Sequence, residues 1–462
     1  MSVVGAIMVP HPPIILPEIG RGEEKKISAT DEAYRKAASF VGELKPETIV
    51  LLSPHSVMYA DYFHISPGRS AGGDMRQFRA PQVEINVNYD SAFVRELTDI
   101  ASVAGFPAGT LGERTPELDH GTMIPLYYIN QFYSDYQLVR IGLSGLPLTD
   151  HYRLGQLIQQ TAVSLGRRVV VVGSGDLSHK LRKDGPYGLS KEGPEYDERI
   201  MDVMGRAAFE ELLDFDEVFC EKAAECGHRS FCIMAGALDG LSVETQSLSH
   251  EGTFGVGYGV CTYRVTGKDA SRYFLDAWKE RQRQDLKEKR QKEDAYVRLA
   301  RASVRSWVRE KKRIALPADL PEEMLRKQAG VFVSLHKDGR LRGCIGTIQA
   351  VRKSIAEEIV ENGISAATKD PRFSPVRPEE LEALEISVDV LGEPEKICSK
   401  DELDVKRYGV IVTKGFRKGL LLPNLDGVDT VDEQLAIALR KAGLSEREKN
   451  YEMQRFEVVR HV

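Results

Sequence analysis

Apolar runs and amphipathic stretches alternate along the first half of the chain. "VVGAIMV" (3–9), "TIVLLS" (48–53), "QLVRIGLS" (137–144) and "RVVVVGS" (168–174) are nearly continuous apolar segments of strand length. Between them, 28–44, 90–104 and 151–165 carry apolar residues at helical spacing. Strands apolar on both faces and separated by helices predict an α/β/α layering with a mostly parallel central sheet. In the last third the pattern changes to hairpins. "VFVSLHKDGRLRGCIGT" reads strand, Asp-Gly turn, strand, "YGVIVTKGFRKGLLLP" repeats the form, and 351–367 and 432–442 are helical. A second, α+β domain is expected there, with no repeat relating the two halves.

Between these parts, 271–313 is dense in Lys, Arg, Glu and Gln and lacks Gly and Pro. Good helix formers with charges at i,i+4 spacing predict one or two helices, read as a solvated connector rather than a binding element.

Composition adds limits. At 462 residues, with 42% hydrophobic and 29% charged residues, the chain is of the soluble globular class and long enough for two domains. A net charge of -6 without a long basic block argues against nucleic acid as the main partner. "MSVVGAIMVPHPP" has no basic leader, and no apolar run reaches bilayer length, so neither secretion nor a membrane partner is expected and a cytoplasmic location is. The six cysteines form no CxxC pair, which argues against a zinc ribbon or a disulfide framework.

Candidate chemistry gathers at strand ends. His11 lies two residues past the first strand and His55 two past the second; Asp176 and His179 follow "VVVVGSG". In an open parallel sheet these ends share one rim, where ligands bind. Prolines 10, 12, 13 and 54 stiffen the loops beside the two histidines. "TPELDHGTMIPL" places Asp119 and His120 at a helix start, where the helix end could receive an anionic group or Asp119 could simply cap it. "AECGHRSF" offers Glu225 and Cys226 ahead of a small-residue helix over 229–240. Two histidines with a carboxylate is the non-haem Fe(II) arrangement, whereas a thiolate in third place favours zinc or a softer metal. His64, His151, His228 and His250 have no comparable context and are read as structural.

"VPHPP", "LLSPHS", "DHGTMIPL", "GSGDLSH" and "AECGHRSF", in this order, resemble the class III extradiol dioxygenase B-subunit family, which includes the Memo-like proteins. The resemblance implies a mononuclear Fe(II) oxidoreductase acting with O2 on a catechol-like or related small molecule. It makes His11, His55 and Glu225 the metal ligands, His179 the acid/base, and His120 the residue holding substrate or oxygen. In Memo-like relatives a cysteine is the third ligand and the Asp of the GSGD-like segment approaches the metal; Cys226 and Asp176 match those positions, and copper or zinc is then an alternative to iron.

"GVFVSLHKDGRLRGCIGT", "ATKDPRFSPV" and "YGVIVTKGFRKGLLLP" resemble the AMMECR-type domain. The implied organisation is 1–268 dioxygenase-like, 269–313 connector and 290–462 AMMECR-type. Such domains are associated with a radical S-adenosylmethionine protein, the implied partner, and self-association into a homo-oligomer is also expected. With Asp338-Gly339 as a two-residue turn, Val333 opposes Cys344 and His336 opposes Leu341, which sends His336 and Cys344 to opposite faces. Arg342 would share the Cys344 face and lower its thiol pKa. Asp370 and Arg372 read as either a binding pair or a loop salt bridge.

Overall fold

The computed structural model describes residues 2–462 apart from Pro116, Asp338, Asp426 and Lys449. The chain forms two compact units, Met1–Glu280 and Arg281–Val462.

In the N-terminal unit four parallel strands lie in the order Gln137–Gly142, Thr48–Ser53, Val169–Ser174, Val3–Val9. Alternate residues of each buried strand feed two separate cores. Ala6, Met8, Val50, Leu52, Val169 and Val171 pack on one face, under the Ser91–Val103, Leu148–Leu165, Glu192–Arg206 and His228–Gly236 helices. Ile7, Val9, Ile49, Leu51, Val170 and Val172 pack on the other, under Ser28–Leu44 and His120–Ile129. In the first of these two helices Ala33, Tyr34, Ala37, Ala38, Val41 and Leu44 form the buried stripe, at i,i+3 and i,i+4 spacing. The layering is α/β/α, as the strand pattern predicts.

The sheet has six strands. An antiparallel hairpin, Leu241–Glu251 and Tyr258–Lys268, continues it beside Val3–Val9. Its first strand, "LSVETQSLSHE", has no continuous apolar run and sits half-exposed at the edge. The strands ending in Val9, Ser53 and Ser174 are immediate neighbours, with Val169–Ser174 in the middle, so their C-terminal loops open on one rim.

The charged segment forms two helices, Phe274–Lys292 and Ala295–Glu310. The C-terminal unit is α+β, with two four-stranded antiparallel sheets. One sheet contains Val331–Lys337, Arg340–Gly346 and Leu384–Leu391; Val331, Val333, Leu335, Leu384, Ile386 and Val388 face the core formed with Ala295–Glu310 and Ile355–Thr368. No helix among the described residues is long and apolar enough to cross a membrane.

The LRGCIG hairpin departs from the expected register. His336 does oppose Leu341, but a bulge leaves Leu335 opposite Gly343 and Ser334, not Val333, opposite Cys344. The one-residue shift turns Cys344 onto the face of Ser334 and His336. Ser334 Oγ donates to Cys344 Sγ at 3.2 Å. Arg342 reaches Glu380 at 2.9 Å and the Ser374 carbonyl instead of the thiol, and burial pushes the Cys344 thiol up, opposite to expectation. Asp370 and Arg372 form a salt bridge at 2.7 Å that buttresses the hairpin, with Asp370 also accepting from the Cys344 amide at 2.9 Å.

Candidate metal centre

His11 leaves the sheet at Val9 and is held from both sides. Its amide donates to Asp176 Oδ1 at 2.7 Å, and the Tyr34 hydroxyl donates to the Pro10 carbonyl at 2.8 Å. The ring is buried at 2% exposure. Its Nδ1 lies 3.0 Å from Ser174 Oγ, which spends its single proton on the Gly121 carbonyl at 2.6 Å. The serine can therefore only accept from the imidazole, so Nδ1 carries the hydrogen and Nε2 presents a lone pair. That fixes the tautomer suited to ligation.

His55 follows Ser53, whose hydroxyl accepts from the His55 amide at 3.2 Å and donates to Asp119 at 2.5 Å. Asp119 in turn caps the His120–Ile129 helix, accepting from Thr122 N at 2.9 Å. Of its two sequence readings, the cap is the one the structure shows; it also ties the His55 and His120 loops together. The His55 and His120 rings lie 4.0 Å apart between centroids, and His11 and His120 5.5 Å.

The third element comes from the turn before His228–Gly236. Gly175 and Gly227 pack backbone to backbone, and a Cβ on Gly175 would collide with the Cα of Gly227. This close approach sets Cys226 beside the strand-end loop: the Asp176 amide donates to its sulfur at 3.3 Å, and the Cys226 amide donates to the Asp176 carbonyl at 3.3 Å.

His11, His55 and Cys226 thereby converge, with candidate ligand atoms all within 4.8 Å of one another. His11 Nε2 is 3.0 Å from His55 Nε2 and 3.6 Å from Cys226 Sγ. Tetrahedral ligation with bonds of about 2.05 Å to nitrogen and about 2.3 Å to sulfur implies separations of about 3.3 Å and about 3.6 Å. The donor set fits one ion. Burial, reinforced by His55, pushes His11 down to about 3; burial, then His55 and His11, push His120 down to about 4; burial lowers His55. All three rings are thus kept neutral, the form that binds metals.

Glu225, adjacent in sequence to Cys226, lies outside this group. Its carboxylate accepts from the His228 amide at 2.6 Å, at the start of the helix, and burial raises it to about 7. Asp176 is buried and raised by that burial, with one oxygen engaged by the His11 amide. His179 lies on the same loop, its ring 5.2 Å from that of Tyr187, with Nδ1 buried and without a hydrogen-bond partner among the described residues. The remaining histidines of this unit are engaged elsewhere: His64 with the Glu113 carbonyl at 2.8 Å, His151 with the Pro147 carbonyl at 3.0 Å, His228 with the Leu212 carbonyl at 3.0 Å and His250 with Asp197 at 2.9 Å. Sequence reading did not single out Ser174 or Gly175; their signal was only their place inside "GSGDLSH".

Comparison with known families matches residues 5–261 to the catalytic LigB subunit of aromatic ring-opening dioxygenase and residues 297–461 to AMMECR1. A protein of Clostridium acetobutylicum is 40% identical over 100% of this chain and 99% of its own length. One of Thermotoga maritima is 50% identical over 37% of this chain and 98% of its own. Among solved structures, an uncharacterized Escherichia coli K12 protein aligns at 16% identity with a TM-score of 0.39, covering 56% of this chain and 99% of that one. The chain belongs to the family of the catalytic LigB subunit of aromatic ring-opening dioxygenases, joined in one polypeptide to an AMMECR1 domain.

Proposed function

We propose that the N-terminal unit is a mononuclear metal-dependent oxidoreductase that oxidises a small hydroxylated, catechol-like molecule with O2. The observation carrying this is the convergence of His11, His55 and Cys226 at single-ion spacing. Fe(II), when bound, supplies a template on which an electron-rich ring and O2 meet and exchange electrons. His11 and His55 contribute neutral nitrogens, with Ser174 fixing the first. His179, facing the Tyr187 ring, takes the proton of a substrate hydroxyl and returns it as the ring opens. His120, held neutral beside both ligand rings, is placed to donate to or accept from bound oxygen atoms of the substrate. Asp176 holds the His11 loop through the backbone amide.

One observation favours a second reading. The clustered third donor is a thiol rather than Glu225, which suits copper or zinc as well as iron. The unit would then be a metal-binding component working with a radical S-adenosylmethionine partner, without ring cleavage. Oxygen uptake by iron-loaded protein over a catechol panel separates the two. Uptake that His179→Ala abolishes supports ring opening; no uptake from any catechol, with the ion still tightly held, supports the second reading.

A further inference from the structure

The charged helical segment is more than a connector. Residues 281–313 hold 13 Lys and Arg against 5 Asp and Glu, in a chain whose net charge is -6. A solvated helix laced by balanced pairs has no need of such an excess.

Within the C-terminal unit, the end of Phe274–Lys292 encloses a cavity of about 590 Å3 together with the sheet carrying His336 and Ser387. That volume is in the range of small-molecule sites. The helix wall is tied down: Lys289 pairs with Glu385 at 2.6 Å, and Arg290 pairs with Glu382 at 2.8 Å and donates to its carbonyl. The sheet wall is polar. Ser387 opposes Ser334, and Glu385 opposes His336, on the face away from the core. From the neighbouring strand Arg460 is locked through Nε and Nη2 onto the buried Asp389, at 2.8 and 3.0 Å. A guanidinium frozen this way loses little entropy on meeting a further anion.

The lining holds five cations, Lys289, Arg290, Lys292, Arg301 and Arg460; four of them pair with a carboxylate, Lys289 with Glu385, Arg290 with Glu382, Arg301 with Glu293 and Arg460 with Asp389. Lys292 is exposed at the helix end and pairs with no carboxylate among the described residues. Leu286 adds an apolar surface.

We propose that this cavity binds a small organic anion, bearing phosphate or carboxylate groups, whose charged groups meet Lys292 and the arginines while its carbon skeleton lies on Leu286. The site is independent of the metal centre and of the reaction assigned to it.

Calorimetry on the full chain with ATP, citrate and inorganic phosphate tests this. ATP or citrate should bind more tightly than inorganic phosphate. Lys292→Glu should weaken that binding about tenfold or more, the loss of a charged hydrogen-bond donor, and Ser387→Phe, which narrows the cavity, should weaken it as well. Lys418→Glu, the same charge change at an exposed residue that does not line the cavity, should leave it within about twofold. The proposal is overturned if neither organic anion binds, if Lys418→Glu weakens binding as much as Lys292→Glu, or if Ser387→Phe binds normally.

Discussion

Replacing Ser174 by alanine removes one oxygen and should weaken metal binding without touching a ligand. The hydroxyl accepts from His11 Nδ1 at 3.0 Å and donates to the Gly121 carbonyl at 2.6 Å. A neutral hydrogen bond of this length is worth about 1 kcal/mol net, and about 1.5–3 kcal/mol when one partner is charged. A ligating imidazole is polarised toward the charged limit, so the loss should approach it. At about 1.4 kcal/mol per decade, this gives a fall in affinity of about tenfold to a hundredfold. Competition against a calibrated chelator, with Fe(II) under anaerobic conditions, reads the change directly. The same variant should also lose about 1–2 kcal/mol of metal-free stability, because the buried Nδ1–H is left unpaired; urea unfolding measures that separately. An affinity within twofold of the unaltered protein would refute the tautomer argument.

Two further outcomes follow from the same geometry. Gly175→Ala should push the strand-end loop away from Gly227, costing about 1–3 kcal/mol in thermal or urea unfolding and releasing Cys226 from the donor set; a variant of unchanged stability and metal content would contradict the close approach. In the C-terminal unit, the Arg372 hydrogen bond holds Asp370 below the usual carboxylate range, and at Glu380 burial pushes upward but is outweighed by the Arg342 bonds, the Arg377 amide and the charges of Arg342 and Lys337 together, leaving it at about 2. Both folded values are depressed, so their contribution is full above the unfolded values near pH 4 and is lost as pH falls toward 2. Urea midpoints of that unit should drop over this window, and less steeply in Glu380→Gln.

The parallel strands were legible because each is buried on both faces and so appears as an unbroken apolar run; Val3–Val9 and Thr48–Ser53 match their predicted limits. The Leu241–Glu251 and Tyr258–Lys268 hairpin was not, since its first strand is half-exposed and polar, and its identity depends on pairing with Val3–Val9 rather than on its own pattern. The rim location of His11 and His55 followed from their place just past the C-terminal ends of two parallel strands. The choice between Glu225 and Cys226 could not, because adjacent residues at a helix start differ only in which one turns onto the His228 amide. The LRGCIG register failed for a similar reason: one bulged residue, invisible in composition, reverses which face Cys344 occupies.

The proposed function rests on one ion held among His11, His55 and Cys226. X-ray absorption on metal-loaded protein tests it most directly. The unaltered protein and Glu225→Gln should show a sulfur neighbour at about 2.3 Å, which disappears in Cys226→Ser. A shell of nitrogen and oxygen alone in the unaltered protein, or a sulfur shell that survives Cys226→Ser, would contradict it.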